Sequence, residues 1–150
     1  MRTDNELRND SRNPNFAELV IAAEISHLSE VLGFVKDCLD RENCPRRVLL
    51  EILVAVEEIF VNIAHYAYNP KIGTAIIRCA VDHDPDTAVI TFLDEGFPYN
   101  PLSRDDPDVT LTAEKRKIGG LGIYMVKKTM DDVKYEYRDG RNILVLKKRF

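Results

Sequence analysis

The stretch 46-RRVLLEILVAVEEIFVNIAHYAY-68 decides the fold, because read as one helix it sorts its residues onto two sides. Placed about 100° apart, Leu49, Ile52, Leu53, Val56, Phe60, Ile63 and Ala67 fall together, while Glu51, Glu58, Asn62 and His65 fall opposite. The apolar side is a core stripe. The polar side carries a carboxylate (Glu58) and a carboxamide (Asn62) at i and i+4, stacked on one surface. Taken alone, such a face is the wetted side of an amphipathic helix, so any function has to come from what the rest of the chain brings to it.

Upstream, residues 1–15 are polar and aperiodic and read as a frayed tail, leaving 16–150 as one domain. Phe16 to Glu24 reads as a strand. A helix follows with Ser26 as its expected cap and Leu28, Val31, Leu32, Val35 and Leu39 as its stripe. Pro45 breaks that helix from the next, which is expected to run unbroken to Tyr68 and stop at Asn69 and Pro70. Downstream, Thr74 to Val81 and Thr87 to Leu93 form a hairpin about a turn at Asp82 to Asp86. The second strand, apolar on both faces, suits the interior of a sheet. Tyr99 to Lys117 lacks periodicity and reads as a mobile surface loop. A helix carrying Ile123, Val126 and Met130 then leads to a last hairpin turning at Asp139-Gly140. About five strands and three helices imply an α+β sandwich, with the helices on one face of a mixed, mostly antiparallel sheet.

With 150 residues the chain has room for one core of useful size. A net charge of −4 argues against duplex nucleic acid as a direct partner, because phosphate backbones need a basic field. Cys38, Cys44 and Cys79 lack the paired spacing of a zinc site or a disulfide framework, which points to a reducing, cytoplasmic setting. No run approaches the ~20 apolar residues of a membrane span, and none resembles a signal peptide.

Two glycine-bearing segments bear on the helix face. Asp94-Glu95-Gly96-Phe97-Pro98 follows the interior strand, where a sheet can present a carboxylate into a pocket. Asp94 could accept a hydrogen bond from an exocyclic amine there, and Gly96 lets a flat ring approach the backbone; the same residue types also make plain turns. Gly119-Gly120-Leu121-Gly122 opens a helix, whose free N–H groups and dipole suit a phosphate; a flexible hinge uses the same residues. No P-loop sequence is present.

In order, Glu58-x-x-x-Asn62, Asp94-x-Gly96 and Gly119-Gly120-Leu121-Gly122 resemble the N, G1 and G2 boxes of the Bergerat-fold (GHKL) ATP-binding domains. The fuller strings 57–68, 94–101 and 119–128 are similar to the anti-sigma factor serine/threonine kinases of the RsbW and SpoIIAB type. The resemblance implies that the cofactors are ATP and Mg²⁺, with Asn62 the Mg²⁺ ligand and Glu58 the catalytic base. It implies that Asp94 reads the adenine amine beside Gly96, and that Gly119, Gly120, Leu121 and Gly122 hold the phosphates under a lid drawn from 99–118. It also implies a sigma factor and a STAS-domain anti-anti-sigma protein as partners, and a homodimer. His65, one turn beyond Asn62, is read as lining the pocket or as structural, and not as a metal ligand. Two positions depart from relatives. Pro98, counted with the nucleotide-binding residues, replaces a second glycine of the histidine-kinase G1 box, and Lys117-Ile118 stands where some kinases place an arginine beside the γ-phosphate; either Arg116 or Lys117 takes that place, or 115–117 is a solvated charge run. The alternative to a kinase is a nucleotide-gated protein-binding module without transfer chemistry.

Overall fold

The computed structural model describes residues 16–68, 71–103 and 121–150. Strand β1 (Ala17–Ala22) passes through a 3-10 turn (Ile25–His27) into helix α1 (Leu28–Arg41), followed by α2 (Arg46–Asn62), β2 (Thr74–Asp82) and β3 (Thr87–Asp94). After it come α3 (Leu121–Thr129), β4 (Asp132–Arg138) and β5 (Arg141–Arg149). The strands form one sheet in the order β1-β2-β3-β5-β4, giving the expected α+β class.

Every pairing is antiparallel, which corrects the expectation of a mixed sheet. Two helices in succession return the chain to the end where β1 finished, so β2 starts opposite it, with Ala22 against Thr74. The single helix α3 does bring β4 back parallel to β3, but β5 lies between them and pairs with both. Asp139 and Gly140 turn that last hairpin with φ of 53° and 77°, the pair of positive values that a two-residue type I′ turn needs.

Alternation along the strands sends Ile77, Ile90, Phe92, Leu144 and Leu146 to the helix-covered face, where they meet Val31, Val35 and Leu39 of α1 and Ile52, Val56 and Phe60 of α2. Full burial of each such side chain is worth about 1.5–3 kcal/mol, so this layer is what holds the helices down. The α2 stripe is Leu49, Ile52, Ala55, Val56, Ile59 and Phe60.

Helix termini differ from the sequence expectation in two places. Ser26 does not cap α1: it lies inside the 3-10 turn, and the Glu24 carbonyl accepts the His27 N–H at 3.0 Å with no side-chain cap. The helix expected to reach Tyr68 is α-helical only to Asn62 and then widens into a π turn, Ile63–Ala67. The polar side of α2 is also not its solvent side. Leu50, Val54 and Glu57 point outward, while Glu51, Glu58 and Asn62 are half-buried on the flank facing α3. Within the expected loop, Pro101–Ser103 forms a 3-10 turn with Pro101 buried. The remainder of that loop, the tail at 1–15 and the stop at Asn69 and Pro70 lie outside the described residues. Among the described residues no helix is long and apolar enough to cross a membrane.

Candidate functional site

Strand parity places the first functional group. Ile90 and Phe92 face the helices, so Asp94, the last residue of β3, faces the same way. On β5 the alternation Leu146, Leu144, Asn142 leads to the residue paired with Asp94. Asp94 and Asn142 are buried polar residues at the end of an otherwise apolar face. Asp94 Oδ1 accepts the Gly96 N–H and an Asn142 Nδ2–H, each at 2.9 Å. Burial pushes the Asp94 carboxyl above the usual carboxylate range, and those two donors pull it back.

The end of α2 forms the facing wall. In the π turn the Ala67 carbonyl accepts the Phe97 N–H at 2.9 Å, an example of such a turn releasing a backbone group for use elsewhere. Gly96 passes so close that a Cβ would lie 2.3 Å from the Ala67 carbonyl oxygen. Tyr68 Oη donates to the Thr74 carbonyl (2.7 Å) and accepts the Glu95 N–H (2.6 Å), tying the turn to the start of β2 and the end of β3. Between these walls opens a cleft of about 490 Å³, mouth included, lined by Ile59, Asn62, Tyr66, Phe92, Asp94 and Tyr135 among others. Apolar walls with a few convergent polar groups suit a flat ligand bearing a hydrogen-bond donor.

Glu58 stands one turn before Asn62 and meets α3. A Cβ on Gly122 would lie 2.0 Å from Glu58 Cδ and Oε1, so the carboxylate rests on the bare Cα of the second residue of that helix. Burial first, and the neighbouring Glu57 second, raise the Glu58 carboxyl above its ordinary range. At the far end of α3, Lys148 Nζ donates to the Thr129 carbonyl (2.7 Å) and pairs with Glu51 of α2 (3.4 Å). The two helices therefore run antiparallel, pinned by Lys148 at one end and meeting at Glu58 and Gly122 at the other.

Of the residues singled out in the sequence, Asn62 and Asp94 line one cleft, Glu58 and Gly122 touch, and Gly96 packs on the helix end. Pro98 is exposed between Phe97 and Tyr99, which line the cleft, and Leu121 is exposed at the start of α3. His65 is exposed, its ring 5.9 Å from that of Tyr66; the cleft lining at this level is Tyr66, four residues past Asn62. Lys117, Gly119 and Gly120 lie outside the described residues. Sequence reasoning missed Asn142, Tyr135 and Tyr66. Asn142 did leave a signal: it is a polar residue at the core parity of Leu144 and Leu146, two residues after the Asp139-Gly140 turn.

A metal at this site would find Asn62 as a single neutral oxygen donor. Among the described residues no group of three or more His, Cys, Asp or Glu is placed to hold a metal ion. That donor set fits Mg²⁺, a hard ion that keeps waters and takes its other ligands from phosphate oxygens. It does not fit zinc.

Comparison with known proteins bears on this arrangement. The chain matches the family model described as a histidine kinase-like ATPase domain over residues 21–148. It is 22% identical over 130 residues to a Serine-protein kinase RsbW of Bacillus cereus, covering 85% of this chain and 75% of that one. To the RsbW of Bacillus velezensis it is 24% identical over 140 residues, covering 91% and 88%. Among solved structures, the RsbU and RsbW domains of a Mycobacterium tuberculosis protein align with a TM-score of 0.65 at 14% identity, over 90% of this chain and 32% of that one. A chain of the SiaB–SiaC complex from Pseudomonas aeruginosa aligns with a TM-score of 0.58 at 15% identity, over 100% and 99%.

Proposed function

The chain belongs to the histidine kinase-like ATPase domain family, and from that premise we propose that it binds Mg-ATP in the cleft beside Asp94 and phosphorylates a serine or threonine of a STAS-domain anti-anti-sigma partner, thereby switching the sequestration of a sigma factor. The observation that carries the reading is the convergence of three distant segments. Asp94 and Asn62 line one cleft, and one helical turn away the Glu58 carboxylate rests on Gly122 at the start of α3. The similarity to proteins named serine-protein kinases adds the reaction type.

Each residue then has a task set by its chemistry. Asp94, held as an acceptor, takes the hydrogen bond of the adenine amine, and Gly96 keeps the backbone close behind the ring. Asn62 would hold Mg²⁺ through its carboxamide oxygen. The N–H groups of Leu121 and Gly122 at the start of α3 would face the phosphates, and the sequence resemblance gives Gly119 and Gly120 the same task, with Lys117 as a candidate cation. The nucleotide supplies the transferred phosphoryl group. Glu58 receives the proton of the attacking hydroxyl, and a carboxyl raised by burial is a better base for that purpose than a solvated one.

Incubation with γ-labelled ATP and a STAS-domain protein tests this. Phosphoserine or phosphothreonine on that protein, lost in Glu58→Ala and in Asn62→Ala, is the expected result. Persistent labelling in both variants overturns the assigned roles. Nucleotide-dependent capture of the partner without any phosphorylated product identifies a nucleotide-gated binding module instead.

A further inference from the structure

Asn142 spends its side chain on Asp94, on the segment that follows β3 and on Tyr135 of β4. Its Nδ2 donates to Asp94 Oδ1 (2.9 Å) and to the Phe97 carbonyl (2.9 Å), with the Gly96 carbonyl at 3.4 Å. Its Oδ1 accepts the Tyr99 N–H (3.1 Å) and the Tyr135 hydroxyl. The stretch from 94 to 99 is thus wrapped around one buried carboxamide. Among the described residues, both hydrogen bonds to the Asp94 carboxylate land on the same oxygen, Oδ1.

This one-sided occupation decides which base the carboxylate can read. A carboxylate with both oxygens free pairs well with guanine, which offers two adjacent donors, N1–H and the 2-amino group. Adenine offers only its 6-amino group to such an acceptor. With Oδ1 already filled by two donors, Asp94 keeps one oxygen for the ligand, enough for adenine and too few for the paired donors of guanine. We propose that Asn142 is a positioning residue that sets base choice: by filling Asp94 Oδ1 and fixing the turn around it, it makes the cleft prefer adenine to guanine. The inference rests on the nucleotide reading of the cleft and goes beyond it by assigning selectivity to a residue that need not touch the ligand.

The test is calorimetric titration of the full chain with Mg-ATP and Mg-GTP, for wild type, Asn142→Leu and Asn142→Ala. Asn142→Ala removes the donors and leaves room for water to reach the Tyr99 N–H and the Tyr135 hydroxyl, so it serves where Asn142→Leu fails to fold. Wild type should prefer ATP. Both variants should lose about tenfold or more in ATP affinity, the size of one hydrogen bond to a charged group, while GTP affinity holds or rises, because the freed Oδ1 can take the second guanine donor. The ATP:GTP ratio therefore collapses by roughly tenfold. Equal losses for the two nucleotides would mean a structural role only and overturn the proposal. Wild type binding ATP and GTP alike overturns it without any variant. Wild type binding neither removes the nucleotide reading itself, and this inference with it.

Discussion

Gly122→Ala should separate chemistry from binding and from stability. The added methyl would begin 2.0 Å from Glu58 Cδ and Oε1, and ordinary contact starts at 3.4 Å, so one side must give by about 1.4 Å. The backbone of α3 is held at its other end by Lys148, whereas the Glu58 carboxylate is the end of a flexible side chain, so the carboxylate moves. Stability changes little: alanine gains up to ~1 kcal/mol of helix propensity over glycine, and the carboxylate is released from a burial that disfavours its charge. Catalysis bears the cost, since misplacing a reacting group by ~1 Å can lower a rate by about a hundredfold. Single-turnover transfer from Mg-ATP to the STAS-domain partner, ATP titration by calorimetry and thermal melting together read the three quantities. The expected pattern is a roughly hundredfold slower transfer, ATP affinity within about threefold and a melting point within ~3 °C of wild type. Normal transfer in a folded Gly122→Ala protein would refute the claim that the position of Glu58 against α3 matters. So would a large loss of stability with transfer intact.

Three further outcomes follow from the same geometry. Gly96→Ala meets a backbone carbonyl at 2.3 Å and no movable side-chain tip, so it should cost about 2 kcal/mol by overpacking, lower the melting point by ~4–8 °C and weaken ATP binding; a variant as stable as wild type contradicts the contact with Ala67. Asp94→Asn should abolish ATP binding and change the pH dependence of folding. The native carboxyl is raised above its unfolded value of about 4, so between those two values the folded state holds more protons and wild-type stability falls as pH rises, then levels above the native value. The stability of Asp94→Asn relative to wild type should therefore grow with pH across that window in urea titrations, and a flat or shrinking difference opposes the argument. Lys148→Met removes the bond to the Thr129 carbonyl and the pairing with Glu51, and should cost about 1.5 kcal/mol and ~3–6 °C; unchanged melting would show that α3 is held by apolar packing alone.

The parts of the fold legible in the sequence are those fixed by short-range chemistry. The turns at 82–86 and Asp139-Gly140 announce themselves, and alternation in β2 and β3 fixes which residues share a face. The convergence of the helix pair, the aspartate and the glycines was legible only as an ordered resemblance. What could not be read is what depends on distant register. Asn142 meets Asp94 across 48 positions because β5 inserts between β3 and β4, and no local pattern reveals that insertion. The π turn is equally hidden: its extra width answers the Phe97 N–H, a group from a loop 30 residues away.

Helix α2 shows why a face cannot be assigned from one element. Sorted by angle, Glu58 and Asn62 look solvated, yet they occupy the flank toward α3 while Leu50 and Val54 look outward. A carboxylate fits on that flank because its neighbour across the groove is a glycine. The reason for the glycines differs accordingly from the one that composition suggests. Of the described glycines only Gly140 has a positive φ, so Gly96 and Gly122 are not there for backbone torsion. They are there because Ala67 and Glu58 occupy the space where their side chains would be. Larger residues at 96 and 122 would keep acceptable backbone geometry and still fail, the first by parting the helix end from the strand and the second by moving the acid.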